Sequence, residues 1–150
     1  MSHTFTNLLT HVLFSTKDRR CSIVPGIKAQ LHAYMGGIVR ELKGNPLTIN
    51  GVSDHVHLLV QFSPTLALSE AVGILKANSS GWVNETFPRR QKFAWQTGYT
   101  GFSVSQSNAS AVIEYISRQE EHHQKMTFQE ELIMYLKKHG IAYDERYIWK

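Results

Sequence analysis

The chain has 150 residues, 42% of them hydrophobic and 19% charged, which is enough to bury a core as a single domain and too apolar for a disordered chain. Its one cysteine, Cys21, excludes an internal disulfide framework, and no apolar run reaches the roughly 20 residues that a membrane helix needs. The formal charge of +4 leans toward polyanionic partners, and a start without a basic segment and apolar stretch points, with the lone cysteine, to a cytoplasmic protein.

Residues 8–15 are rich in apolar side chains and read as a strand. Pro25 and Gly26 then open a helix whose stripe is Ile27, Leu31, Tyr34, Met35, Ile38, Val39 and Leu42, with Gly44 and Asn45 as its stop. Gly36 and Gly37 inside it each cost about 1 kcal/mol relative to alanine, which implies close packing against a neighbour. Residues 47–52 and 55–62 are strand candidates divided by a turn at Ser53 and Asp54. A second helix spans 68–85, with Leu68, Val72, Leu75, Trp82 and Val83 on its buried side.

Residues 88–101 mix basic, aromatic and glycine residues and read as a loop with some strand, followed by a strand at 102–105. Ser107 is the expected N-cap of a third helix running to about His123. Thr127 and Glu130 form a capping box for a last helix that Gly140 ends, and the aromatic tail beyond it packs back or docks on a partner. There is no repeat or linker. The order strand, helix, strand, strand, helix, strand, then helices predicts an α+β, ferredoxin-like split βαβ sheet with additional C-terminal helices. Its first and third strands would be central.

Side chains alternate along a strand, so His55 and His57 share one face while Val56, Leu58, Val60 and Phe62 take the other. Two imidazoles a few ångströms apart suit one metal ion. In a chain with eight histidines such a pair says little alone. Tyr115 and Gln119, four residues apart on the third predicted helix, share a face as well. His122 and His123 follow Gln119 by three and four positions, so one of them could approach a metal, but they read better as helix-end histidines near a C-terminal dipole; His11 falls on the first strand and could face the same site, without an assigned role. Arg89, Arg90, Lys92, Phe93, Trp95 and Tyr99 interleave cations with flat rings, as single-stranded nucleic acid requires.

Taken together, these residues resemble the single-tyrosine HUH transposases of bacterial insertion sequences and their relatives associated with repetitive extragenic palindromes. The likeness rests on His55-Val56-His57 within Gly-Val-Ser-Asp-His-Val-His-Leu-Leu-Val and on Tyr115-Ile-Ser-Arg-Gln119. Phe93-Ala-Trp95-Gln96, Gly98-Tyr99, Phe102-Ser-Val-Ser105, and His122-His123 followed by Phe128 and Glu130 extend it over nearly the whole chain.

The resemblance implies that His55, His57 and Gln119 hold Mg²⁺ or Mn²⁺ and that Tyr115 is the nucleophile. It implies single-stranded or hairpin DNA as substrate, a 5′-phosphotyrosine intermediate, and a homodimer in which Tyr115 of one subunit can complete the other's site. Exchanging one phosphodiester for another needs no nucleotide cofactor, and the chain carries no phosphate-binding glycine loop. The base that deprotonates Tyr115 is unassigned. The alternative expectation is a catalytically silent ferredoxin-like dimer, a domesticated transposase that binds hairpin or single-stranded nucleic acid without cutting it. DNA contacts are expected from Arg89, Arg90, Lys92, Trp95 and Tyr99.

Overall fold

The computed structural model describes residues 3–88 and 91–149. Strand β1 (Leu9–Ser15) leads through a short turn to helix α1 (Pro25–Glu41) and the hairpin β2 (Asn45–Val52) and β3 (His55–Gln61). Helix α2 (Leu68–Thr86) and strand β4 (Thr100–Val104) follow, then α3 (Ala109–Ser117), the single turn α4 (Gln119–His122) and α5 (Phe128–Lys138). The sheet order is β2-β3-β1-β4 with every neighbouring pair antiparallel, so the first and third strands are central. This is the α+β, ferredoxin-like arrangement with helices added after β4.

Strand parity sorts the two faces. Val12 stands opposite Leu58 and Phe14 opposite Val56, and this face meets Leu31, Met35 and Val39 of α1 and Val72, Leu75 and Val83 of α2. Burying each of these side chains contributes about 1.5–3 kcal/mol. The other face carries Leu9, His11, Leu13, His55, His57 and Leu59 and is covered in its turn by α3 and α5. The histidine face is therefore interior, which is unusual for two imidazoles and makes their partners decisive.

Pro25 starts α1 at a position whose N–H needs no partner, as expected. The stop differs from expectation: Lys43, not Gly44, takes the left-handed conformation at φ 64°. Gly44 N–H closes on the Val39 carbonyl at 2.9 Å, and a Cβ there would lie 2.9 Å from the Gln61 carbonyl oxygen. Close approach fixes that glycine, not its φ. Gly51 is constrained in the same way, since a Cβ would meet the His55 carbonyl oxygen at 2.2 Å.

Gly36 and Gly37 do not mark a tight interface. A Cβ on Gly36 would make only ordinary contacts from 3.6 Å outward, and one on Gly37 would meet nothing within 4 Å. With propensity as the only term left, Gly37→Ala should stabilise the protein by about 1 kcal/mol. Urea denaturation checks this, and a loss of stability would reveal a contact absent from the structure.

The third helix also departs from expectation. Ser107 sits in a short 3₁₀ turn bonded to Ser105, Asn108 flanks α3 without a side-chain cap, and the helix breaks at Arg118 (φ −104°, ψ 26°). Tyr115 and Gln119 thus belong to different helical segments. The Thr127–Glu130 capping box is present, and Gly140 follows α5 at φ 66°. The tail packs back: Tyr143, Ile148 and Trp149 lie on the cluster beneath α5, and Arg19 donates to the Trp149 carbonyl at 3.3 Å.

Candidate active site

Strand β3 delivers His55 and His57, both fully buried, under α5. On α5, Phe128, Glu131, Leu132 and Tyr135 form the buried stripe, so an acid occupies a position in step with apolar residues. Glu131 has no exposed surface and is the hub of the site. Its Oε1 lies 3.3 Å from His55 Nε2, 2.8 Å from His57 Nε2 and 3.0 Å from His123 Nε2. Its Oε2 accepts a short hydrogen bond from the Tyr115 hydroxyl and a long one, 3.4 Å, from Gln119 Nε2. Gln119 Oε1 is also 3.1 Å from His55 Nε2.

His55, His57, Tyr115 and Gln119 therefore meet within one chain, despite the break between α3 and α4. That break turns the α4 segment so that the Gln119 amide faces His55, and His123 just after it reaches Glu131. His123 is thus a member of the cluster rather than a helix-end histidine. His122 stacks on the Tyr115 ring with centroids 4.2 Å apart, holding the phenol from its face.

The far nitrogens are held too. His55 Nδ1 is 2.7 Å from Asp54 Oδ1, and His57 Nδ1 is 2.8 Å from His11 Nε2. Such outer partners set which tautomer each ring presents to the centre.

The electrostatics follow from this packing. Burial would push the Glu131 carboxyl up, but hydrogen bonds from His123, His55 and His57 hold it far below the usual carboxylate range. Burial would lower His55, yet Asp54 and Glu131 outweigh it and raise the ring to about 9. Burial lowers His57 to about 4 against the pull of Glu131, and burial with the neighbouring His57 lowers His11 to about 3. Burial and the Glu131 carboxylate push the Tyr115 hydroxyl well above its ordinary value of 10. The resting site thus pairs an ionised Glu131 carboxylate with a charged His55 ring, beside a neutral Tyr115 phenol. A phenol in that state is a poor nucleophile until positive charge is brought to it.

The donors suit a cation. His55, His57, His123 and Glu131 each offer a ligand atom, and all four atoms lie within 4.8 Å of one another, with the Gln119 amide oxygen beside them. Tyr115 is half-buried and lines a cleft of about 440 Å³ with Ser103, Asn108, Lys138 and His139, so the phenol can be reached from outside.

The second predicted region is placed differently. Arg89 and Arg90 lie outside the described residues. Lys92 is exposed and, with Lys17 and Arg20, lines a basic cleft of about 470 Å³. Trp95 is buried in the core between Phe14 and Phe93, its indole N–H donating to Ser79 at 2.9 Å, so it offers no ring for base stacking. Tyr99 is half-buried against the same core.

Glu131, His123, His11 and Asp54 were missed as site residues. Glu131 had a legible signal, an acid three residues after Phe128 and one before Leu132 on an apolar stripe. His11 shares strand parity with Leu9 and Leu13, but parity alone does not say that it touches His57.

Residues 4–119 match the family profile described as "Transposase IS200 like". The transposases for insertion sequence element IS200 of Salmonella typhimurium LT2 and Salmonella typhi are each 28% identical over 128 residues, covering 79% of this chain and 81% of theirs. Among solved structures, a candidate transposase from Deinococcus radiodurans R1 superposes with a TM-score of 0.64 at 22% identity, covering 79% of this chain and 96% of its own. A REP-associated tyrosine transposase bound to a REP hairpin gives 0.60 at 12% identity, covering 82% of this chain and 74% of its own.

Proposed function

From the premise that this chain belongs to the family of IS200-like transposases, we propose that it cuts and rejoins single-stranded or hairpin DNA through a covalent bond to Tyr115. The observation that carries the reading is the convergence of the Tyr115 hydroxyl, the Gln119 amide and the His55 and His57 imidazoles around one buried carboxylate.

Tyr115 Oη attacks the scissile phosphorus, the bond from phosphorus to the 3′ oxygen breaks, and a 5′-phosphotyrosine forms. The proton leaving the phenol is balanced by the one that the departing 3′-hydroxyl gains. Rejoining reverses the exchange with another 3′-hydroxyl, so the bond energy is conserved and no nucleotide is consumed. His55, His57 and Gln119 would hold a divalent cation, Mg²⁺ or Mn²⁺, which supplies positive charge to the phosphate as the transition state forms. Glu131 fixes the hydrogen of the phenol, and His122 fixes the plane of its ring, so the attacking oxygen is positioned before DNA arrives.

DNA would approach Tyr115 through the cleft that holds Lys138 and His139, with phosphates steered by basic side chains such as Lys92. Arg89 and Arg90 extend that basic stretch in the sequence. A hairpin partner accords with the ligand of the REP-associated relative. Acting on chromosomal DNA would place the protein in the cytoplasm, and no helix among the described residues is long and apolar enough to cross a membrane.

The deciding experiment is covalent trapping. Incubation with labelled, hairpin-bearing single strands and Mn²⁺ or Mg²⁺ should give a denaturation-resistant adduct that maps by peptide mass to Tyr115. No adduct across a broad oligonucleotide pool would leave the silent hairpin binder as the better account.

In a homodimer of this chain we expect two sites, each complete in one subunit, because the Tyr115 hydroxyl bonds the same Glu131 carboxylate that His55 and His57 of its own chain contact. Mixing Tyr115→Phe with His57→Ala protein should therefore restore no activity. Rescue in that mixture would show that a partner's tyrosine completes the site.

A further inference from the structure

We infer that the cleft beside Tyr115 is a pocket for a single adenine base next to the scissile phosphate, read by Asn108 and stacked on His139. The inference rests on the strand-transfer reading for its choice of DNA and goes beyond it in naming the base and the residues that select it.

Three elements build the cleft. Strand β4 supplies Ser103 and Val104, the start of α3 supplies Asn108 and Val112, and the end of α5 supplies Met134 and His139. Its volume of about 440 Å³ lies in the range of sites that take one small molecule. Aromatic rings give it a flat surface. Phe102, Tyr135 and His139 lie nearly parallel, with interplanar angles of 20°, 17° and 17°, and His139 is the exposed member of the three. A base laid on His139 extends this stack, and one such contact carries about 5- to 150-fold in affinity for any base. Tyr115 lines the same cleft, which puts the stacked base beside the reacting phosphate.

The polar groups choose the base. Asn108 flanks α3 without capping it, and among the described residues its amide has no hydrogen-bond partner. A carboxamide offers a donor and an acceptor side by side, the pattern that matches the N6 amine and N7 of adenine. Guanine presents two acceptors on that edge and adds N–H groups on another. Against Val104, Ala111, Val112 and Met134 those groups would be buried unpaired. Pyrimidines give the ring stack less surface. Lys138 has no acidic partner among the described residues and lies with its ammonium 5.9 Å from the Tyr135 ring centre, which leaves its charge for the adjoining phosphate.

The test is equilibrium binding to the full chain with a chelator present, so that no cleavage intervenes. The probes are labelled short oligothymidylates in which one central base is replaced by adenine, guanine, cytosine or unsubstituted purine. The adenine strand should bind most tightly, about tenfold better than the purine strand, which lacks the N6 amine. Asn108→Ala should bring those two strands within about twofold of each other, with unchanged circular dichroism. His139→Ala should weaken both by about fivefold or more and keep their ratio. Equal binding of all the strands, tightest binding of guanine, or an adenine-over-purine preference that survives in Asn108→Ala would each overturn the pocket. Adducts at Tyr115 without any base preference would sink the pocket alone. A base preference without adducts would keep the pocket and sink the strand-transfer reading, so the two failures are separately visible.

Discussion

Tyr115→Phe should abolish covalent attachment to DNA, lowering adduct yield by at least about 1,000-fold, while DNA affinity changes only a few-fold. The magnitude follows from chemistry. Removing the attacking oxygen removes the covalent route altogether, and the remaining cation and basic groups can only bind and polarise the phosphate. Binding should survive because Tyr115 is half-buried and one of several residues along its cleft, while Lys138, Lys92 and Lys17 keep their charge. The substitution also frees Glu131 Oε2 from its phenol partner. That acceptor retains the Gln119 amide at 3.4 Å, and Oε1 keeps its imidazoles, so the fold should tolerate the change. The measurement is gel-resolved adduct yield beside equilibrium binding of the same labelled hairpin. Adducts that persist in Tyr115→Phe would move the nucleophile elsewhere.

Glu131→Ala should destabilise the metal-free protein by about 3–5 kcal/mol, the range found when one partner of a buried charge pair is removed. In this protein the carboxylate balances the raised His55 ring and receives hydrogen bonds or ion pairs from His57, His123 and Tyr115. Without it, the buried His55 ring keeps only Asp54 as a counter-charge and the half-buried Tyr115 phenol loses its acceptor. For a chain of this size the loss corresponds to a fall in Tm of roughly 10 °C or more. The neighbouring Glu130→Ala, which removes only the reciprocal half of an exposed capping box, should cost about 1 kcal/mol or less. Chemical denaturation in the presence of a chelator compares the two. A penalty below 1 kcal/mol for Glu131→Ala would mean that the cluster is held by packing and not by this carboxylate.

Much of the fold could be read locally. The strands and helices begin and end close to where alternation, helical stripes, Pro25 and the Thr127–Glu130 box place them. The parity of β3 separated His55 and His57 from the core side chains Val56, Leu58 and Val60. The third helix was misread because nothing in the run from Ala109 to His123 marks a break. Arg118 is an ordinary helix former, and its non-helical conformation is set by how the segment docks over β2 and β3. Trp95 was misread because cations beside rings look alike whether the rings face solvent or core. The Ser79 hydroxyl that satisfies its indole comes from α2, sixteen positions earlier.

What the sequence determined by itself was the order of strands and helices, the pairing of two imidazoles on one strand face, and the family to which these motifs belong. Each element and each motif is written in residues within a few positions of one another, where backbone periodicity dictates which side chains point together, and their order is read directly along the chain. Only the tertiary structure decided that Glu131 is the hub. That residue meets His57 across 74 positions, and Gln119 meets His55 across 64, distances over which no local pattern operates. Their meeting depends on α5 closing over the second face of the sheet, driven by the burial of Phe128, Leu132 and Tyr135. The charged cluster is carried inward by that apolar stripe and stays because each of its members finds a partner there.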